Sequence, residues 1–298
     1  MQEITHIPVL LQETLSWLQP QAGGRYLDGT LGAGGHTLAI MEQTKGTGEV
    51  LGLDQDWQAL ELAQERLEQA GWAQQVHLAR VRFSNFQQAL KELDWKELDG
   101  AILDLGLSSL QLDNWERGFS FQHSGPLDMR MDQSKGLTAE RLLRKSNYQE
   151  LKRIILDYGQ EPMAGRIAKR IVQAREKKGI QDTLELARLI QQAYPGARRR
   201  QSRHHPATKT FQALRIAVNQ ELQELETFLR KIPDYLRPRA RICIISFHSL
   251  EDRLVKKAFH QKQGQFRQLT SGPVQADGQE QERNPRSRSA RLRAAERV

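Results

Sequence analysis

Cysteine is nearly missing from this 298-residue chain, and the single Cys243 excludes an internal disulfide framework and a cysteine-built zinc site. No apolar run approaches the ~20 residues of a membrane-spanning helix. The start, Met1-Gln-Glu-Ile4, lacks the basic head and long apolar core of a secretory leader, so a cytoplasmic location is expected and no membrane partner. There are no internal repeats. Three strand-tip carboxylates, Asp28, Asp54 and Asp104, offer a metal site as an alternative, but nothing near them supplies a regular ligand spacing, so no metal is expected. A Ser, a His and an Asp lie close together at 246–252, but without the glycine-flanked elbow of a hydrolase nucleophile.

What is present is basic and globular. Lys and Arg outnumber Asp and Glu by 44 to 36, and 38% of the residues are hydrophobic. The charge of +8 suits a polyanionic partner such as RNA or DNA, or simply a basic soluble enzyme. Five short apolar runs ending in small or acidic residues read as buried parallel strands: Arg25–Asp28, Val50–Asp54, Val76–Val81, Gly100–Leu105 and Arg241–Ser246. A helix over Asp56–Ala70, with Leu60, Ala63 and Leu67 on one stripe, is the clearest of those between the first four. Cys243 falls inside the last run and is expected to be buried. The pattern predicts an α/β fold with a doubly wound sheet.

From about Phe119 to Pro206 the alternation gives way to helical patterns alone. Leu137–Tyr158 and Met163–Glu176 are amphipathic, and Asp182-Thr-Leu-Glu185 predicts a capping box opening a helix to Ala193. A long helix from Thr210 to about Leu229, capped by Thr208 or Thr210, leads back to the fifth strand. These features predict a helical insertion: a first part at 1–117, the insertion at 118–205, and a second part at 206–298. The tail from Gln281 carries six Arg against two Glu and is expected to be loosely ordered.

The chemistry concentrates at strand ends. Asp28 closes the first strand and is followed by Gly29, Gly32, Gly34 and Gly35, a loop built for close approach to a ligand. A nicotinamide fingerprint would place glycine where Thr37 stands, so a sulfonium or amino-acid end suits the loop better than a pyrophosphate. Asp54, at the second strand's tip, is placed to accept from ribose hydroxyls or to cap the next helix. Asp104 ends the fourth strand ahead of Gly106, Ser108 and Ser109. In the following loop, Phe119 and Phe121 are candidates to stack a base or to anchor the loop. Arg117 and Arg130 are candidates to hold phosphates. A basic cluster, Arg198 to Lys209, and the segment Ser246-Phe-His-Ser-Leu-Glu-Asp-Arg253 complete the inventory.

Taken together, these segments resemble the RsmH (MraW) family of bacterial 16S rRNA cytosine-N4 methyltransferases. The similarity rests on His6–Leu11, Asp28–His36, Leu103–Ser109, Arg117–Phe121, Gly125–Met131, His205–Arg215, Ser246–Arg253 and Asn284–Ala290, in order along nearly the whole chain. The resemblance implies a Rossmann-like class I S-adenosylmethionine-dependent methyltransferase domain with an inserted all-helical substrate-recognition subdomain. It implies S-adenosyl-L-methionine as cofactor and the N4 amine of cytidine 1402 in 16S rRNA, within the 30S subunit, as acceptor; a homodimer is compatible with it. Carried over, Gly34, Gly35 and His36 hold the donor's amino-acid end, Asp54 its ribose and Phe83 its adenine, while Asp104 and Gln111 complete the pocket. Asp104, Ser109 and His248 are the catalytic candidates, with Asp104 or a backbone carbonyl of its turn expected to accept from the amine. Arg117, Phe119, Arg130, Arg203, Lys209 and Arg253 are the RNA-binding candidates. Gln160 and Lys209 depart from the acidic residue and the arginine usual in the family.

Overall fold

The computed structural model describes residues 7–195, 205–260 and 264–298, which fall into two compact units, 1–108 with 222–298 and 109–221. The first is an α/β unit around a seven-stranded sheet. Its strands are β1 (Arg25–Asp28), β2 (Glu49–Asp54), β3 (Val76–Arg80), β4 (Leu98–Asp104), β5 (Leu236–Ser246), β6 (Phe266–Gln268) and β7 (Arg291–Arg297). Their order in the sheet is β3-β2-β1-β4-β5-β7-β6. The first five are parallel, and β7 runs antiparallel between β5 and β6.

The apolar strands build this sheet because both faces are covered. Successive residues point to opposite faces, so Leu27, Leu51, Leu103 and Ile244 enter one core while Tyr26, Val50, Ile102 and Cys243 enter the other. Cys243 is fully buried, and burial pushes its thiol up to about 12. The helix over Trp57–Gln69 starts where Asp56 accepts from the Gln58 N–H, and it buries Ala59, Ala63 and Leu67.

Two expectations change. The arginine-rich tail is not loose: it supplies β7, whose Leu292, Ala294 and Ala295 are fully buried. Arg293, only 5% exposed, is accommodated because Asp252 takes it in two hydrogen bonds of 2.6 and 3.2 Å. The long helix near 210–229 is two helices, Thr208–Asn219 and Glu221–Lys231, divided at Gln220, whose φ of 57° is left-handed.

The second unit is helical, and among its described residues there is no strand. Its boundaries reach beyond the 118–205 drawn from sequence, because the Thr208–Asn219 helix packs against the helices at 139–145 and 148–157. The single pattern at 137–158 is also two helices, Ala139–Lys145 and Tyr148–Asp157. Asn147 and Glu150 form a complete capping box there, which starts a new helix instead of continuing the old one. At Asp182 only half of the expected box exists: Asp182 accepts from the Glu185 N–H, while Glu185 turns to the Gln181 N–H. Neither Thr208 nor Thr210 caps its helix; the His205 ring nitrogen accepts from the Ala207 N–H just before it. No helix among the described residues is long and apolar enough to cross a membrane.

Candidate cofactor site at the strand tips

The loop after β1 is stitched to its neighbours by backbone groups. Gly29 N–H donates to Ile102 O at 3.0 Å, Leu31 N–H to Leu53 O at 2.9 Å, and Gly34 N–H to Leu31 O at 2.8 Å. A Cβ on Gly29 would lie 2.4 Å from a Leu103 methyl and 3.1 Å from Phe83 Cβ, so packing demands glycine there. Gly32 differs: its φ is +52° and a Cβ would meet no protein atom closer than 4.0 Å, leaving open space beside the loop.

Three carboxylates converge on this loop. Asp28, buried, accepts from Thr37 Oγ1 at 2.7 Å and from the Thr30 N–H at 3.2 Å. Thr37, which argued against a nicotinamide fingerprint, is therefore the residue that fixes the first strand-tip acid. Asp54 accepts from the Gly32 N–H at 3.0 Å and the Asp56 N–H at 2.8 Å, which ties the loop to the tip of β2. Asp104 is positioned through its own backbone N–H, which donates to Thr30 Oγ1 at 2.6 Å. Its Oδ1 is buried and has no hydrogen-bond partner among the described residues. The hydroxyl contacts of Thr30 with Asp104 and of Thr37 with Asp28 were not legible in the sequence, where Thr37 counted only against a nicotinamide fingerprint.

Burial raises all three acids. Asp28 and Asp54 are each pushed up to about 6, against the hydrogen bonds that lower them. Asp104 stands well above the usual carboxylate range, mainly through burial and then through the negative charges of Asp28 and Glu251. No Lys or Arg forms an ion pair with any of the three among the described residues. Such a cluster repels a pyrophosphate and favours a cation, which would return the carboxylates to their charged form. The orphaned Oδ1 of Asp104 and the space at Gly32 fit a small cationic group lying along the loop.

His36 is buried in the first turn of the Gly35–Gln43 helix, its Nε2 3.1 Å from Val9 O and its Nδ1 3.9 Å from Asp104 Oδ2. The carbonyl contact assigns the proton to Nε2 and turns Nδ1 toward Asp104. Phe83 stands beside the loop, held edge-on against Phe228 with ring centroids 5.7 Å apart. Ser109 and Gln111 are both buried on the short helix Ser109–Asp113 that opens the second unit.

His248 has a local duty at the tip of β5. Glu251 Oε2 accepts from the Phe247 and His248 N–H groups at 2.9 and 3.2 Å, and its own N–H lies 3.3 Å from His248 Nδ1. This reciprocal pair caps the helix Ser249–His260, and His248 Nε2 sits 3.1 Å from Glu251 Oε1.

The candidates for RNA contact divide sharply. Arg117 is 2% exposed and donates to Arg130 O and Met131 O, so it holds the loop and faces no phosphate. Arg130 is gripped by both oxygens of Asp128, which raises its pKa. Phe119 is buried, 6.0 Å from the Arg117 guanidinium, and Phe121 packs between His205 and Phe211. Both phenylalanines thus help to anchor the loop, Phe119 buried and Phe121 half-buried. Lys209 is exposed and reaches Gln160 O at 3.2 Å, and Arg253 is exposed. Arg203 lies outside the described residues, as does His6.

Comparison with known proteins follows the same line. Residues 3–298 match the MraW methylase family. A protein of Maridesulfovibrio salexigens named Ribosomal RNA small subunit methyltransferase H is 51% identical, over 99% of this chain and 96% of its own. One of the same name from Lawsonia intracellularis is 50% identical, over 98% and 99%. Among solved structures, a putative rRNA-methylase from Clostridium thermocellum superposes with a TM-score of 0.50 at 12% identity, covering 98% of this chain and all of that one. That last likeness is one of fold.

Proposed function

The chain belongs to the MraW methylase family, and from that premise we propose that it transfers the methyl group of S-adenosylmethionine to the N4 amine of cytidine 1402 in 16S rRNA. The observation that carries the donor half is the set of three cation-seeking carboxylates around a glycine loop, with Asp28 buried and Asp104 Oδ1 without a hydrogen-bond partner among the described residues. The acceptor half is supported by relatives about 50% identical over nearly their full length, whose name specifies small-subunit rRNA.

In this reading Asp54 takes the ribose hydroxyls, Phe83 lies near the adenine, and Gly34, Gly35 and His36 hold the amino-acid end. The donor supplies an electrophilic methyl on a positively charged sulfur. The protein's work is alignment and charge: holding two reactants in line gains effective molarities that reach ~10⁵ M or more in well-oriented cases. A cation beside Asp104 favours its ionised form. Asp104 then accepts from the cytosine amine, whose lone pair is delocalised into the ring, and helps it pyramidalise and release a proton. The target base leaves its stack to reach the site, and the helical region at 118–205 recognises the RNA around it.

The test is to incubate the protein with methyl-labelled donor and 30S subunits and to map the label. Methyl on N4 of cytidine 1402 is expected, with turnover of Asp104→Ala reduced by two or more orders of magnitude at saturating donor. Label at another nucleotide, or none, refutes the acceptor assignment. Failure of calorimetric donor binding refutes the donor assignment.

A further inference from the structure

A second, unrelated feature lies at the opposite edge of the sheet. There a cleft of about 900 Å³ opens at the beginnings of β1, β4 and β5 and the end of β7. Arg237, Arg239, Arg241, Arg267 and Arg297 line it, against two acidic side chains, Asp99 and Glu296. Five arginines against two carboxylates leave the lining of the cleft positive. Because β4 has seven residues at about 3.3 Å each, the cleft lies roughly 20 Å from the donor loop.

The arginines are displayed by a departure from regular pairing. Leu98 pairs with Leu236 and Gly100 with Arg241, so β5 spends Arg237-Pro-Arg-Ala240 where β4 spends Asp99 alone. Bulges of this kind bend a strand and re-aim its side chains. Arg239, after Pro238, holds a φ of +68°, a left-handed conformation that is strained for a non-glycine residue. Its side chain is exposed and has no ion pair among the described residues. The other four are held in place: Arg237 by Asp99 at 2.7 Å, Arg267 by Glu296 at 2.6 Å, Arg241 by Trp17 O at 3.0 Å and Arg297 by Pro233 O at 3.0 Å. Arg297 donates to the neutral carbonyls of Pro233 and Gln265, which orients its guanidinium without cancelling its charge, while Arg241 also lies 3.8 Å from a Glu296 oxygen.

These five side chains come from β5, β7 and β6, three adjacent strands spanning about 10 Å at 4.8 Å spacing. One phosphate is satisfied by one or two guanidinium forks; five spread along a sheet edge match a run of phosphates. We propose that this cleft is a second RNA-binding site, anchoring the phosphate backbone of the substrate RNA away from the nucleotide being methylated. The assignment rests on the rRNA reading above and adds a second site to it.

The experiment is fluorescence anisotropy with labelled 16S rRNA transcript across a salt series, comparing the parent with Arg239→Gln/Arg267→Gln and with the reversal Arg239→Glu/Arg267→Glu. Both positions are exposed, so unchanged Tm values are expected. The glutamine variant should bind three- to tenfold more weakly at 0.1 M salt, and its salt slope should shrink by roughly one to two. The reversal should weaken binding further. Donor affinity should stay at the parental value, and methylation should show a raised KM for RNA with kcat kept. Parental affinity and slope in both variants would overturn the anchor while leaving the rRNA reading intact. A parent protein that binds no rRNA would overturn both.

Discussion

Replacing Asp28 by Asn is the sharpest test of the cation-seeking site. Asp28 is 2% exposed and raised from 3.8 to about 6 by burial. Its folded value lies above its unfolded value, so the native state holds the extra proton between about pH 4 and 6. Stability from this group is therefore lost as pH rises through about 6, and at neutral pH the buried charge costs roughly 3 kcal/mol relative to the protonated form. Going from pH 7.5 to 5, proton uptake should return roughly 1 kcal/mol from Asp28 alone. That amounts to a few degrees of Tm in a chain of this size. Asn keeps the shape and cannot ionise, and Thr37 can turn its hydroxyl to accept from the amide. The assay is thermal unfolding of parent and variant from pH 5 to 8 without donor. The parent should gain stability toward pH 5 relative to Asp28→Asn, and the variant should be the more stable protein at pH 7.5. Calorimetry should show the complementary sign, with parental donor affinity falling about fourfold by pH 5.5 for each carboxylate that must ionise. Parallel stability curves for the two proteins would refute the assignment of the buried charge.

Three further outcomes follow from packing and pairing. Arg293→Ala removes the buried partner of Asp252, leaving it Arg291 at 3.8 Å, and should destabilise by about 2–3 kcal/mol in denaturant unfolding, whereas loss of the exposed Arg237–Glu97 pair should be barely measurable. Gly118→Ala places a Cβ 2.1 Å from Pro126 O at a φ of +73°, so soluble yield or Tm should fall steeply. Asn219→Ala removes the amide that donates to Met129 O and accepts from the Met131 N–H, and should cost roughly 2–3 kcal/mol and speed hydrogen exchange across 129–131.

The chain itself determined the parallel sheet, because each early strand is a short apolar run whose alternate residues serve two cores. It also determined the glycine loop and the three strand-tip acids, because those residue types stand at fixed positions relative to the runs. Two strands escaped. β6 is only three residues long, and β7 alternates with arginines that read as solvated until Asp252 is brought to Arg293. Helix ends at 146 and 220 escaped as well, since amphipathic periodicity continues across breaks made by capping and left-handed backbone.

What only the tertiary structure decided is which charges are available. Arg117 and Arg130 look in sequence like free phosphate ligands, and the fold consumes both within their own loop. Arg237, Arg239 and Arg267 drew no notice in sequence, and the strand order places them along one cleft. Net charge is a sum over residues and can be read from composition. Whether a guanidinium faces a carbonyl, a carboxylate or water depends on which groups folding brings to it, from Asp128 two residues from Arg130 to Trp17 at the other end of the chain from Arg241.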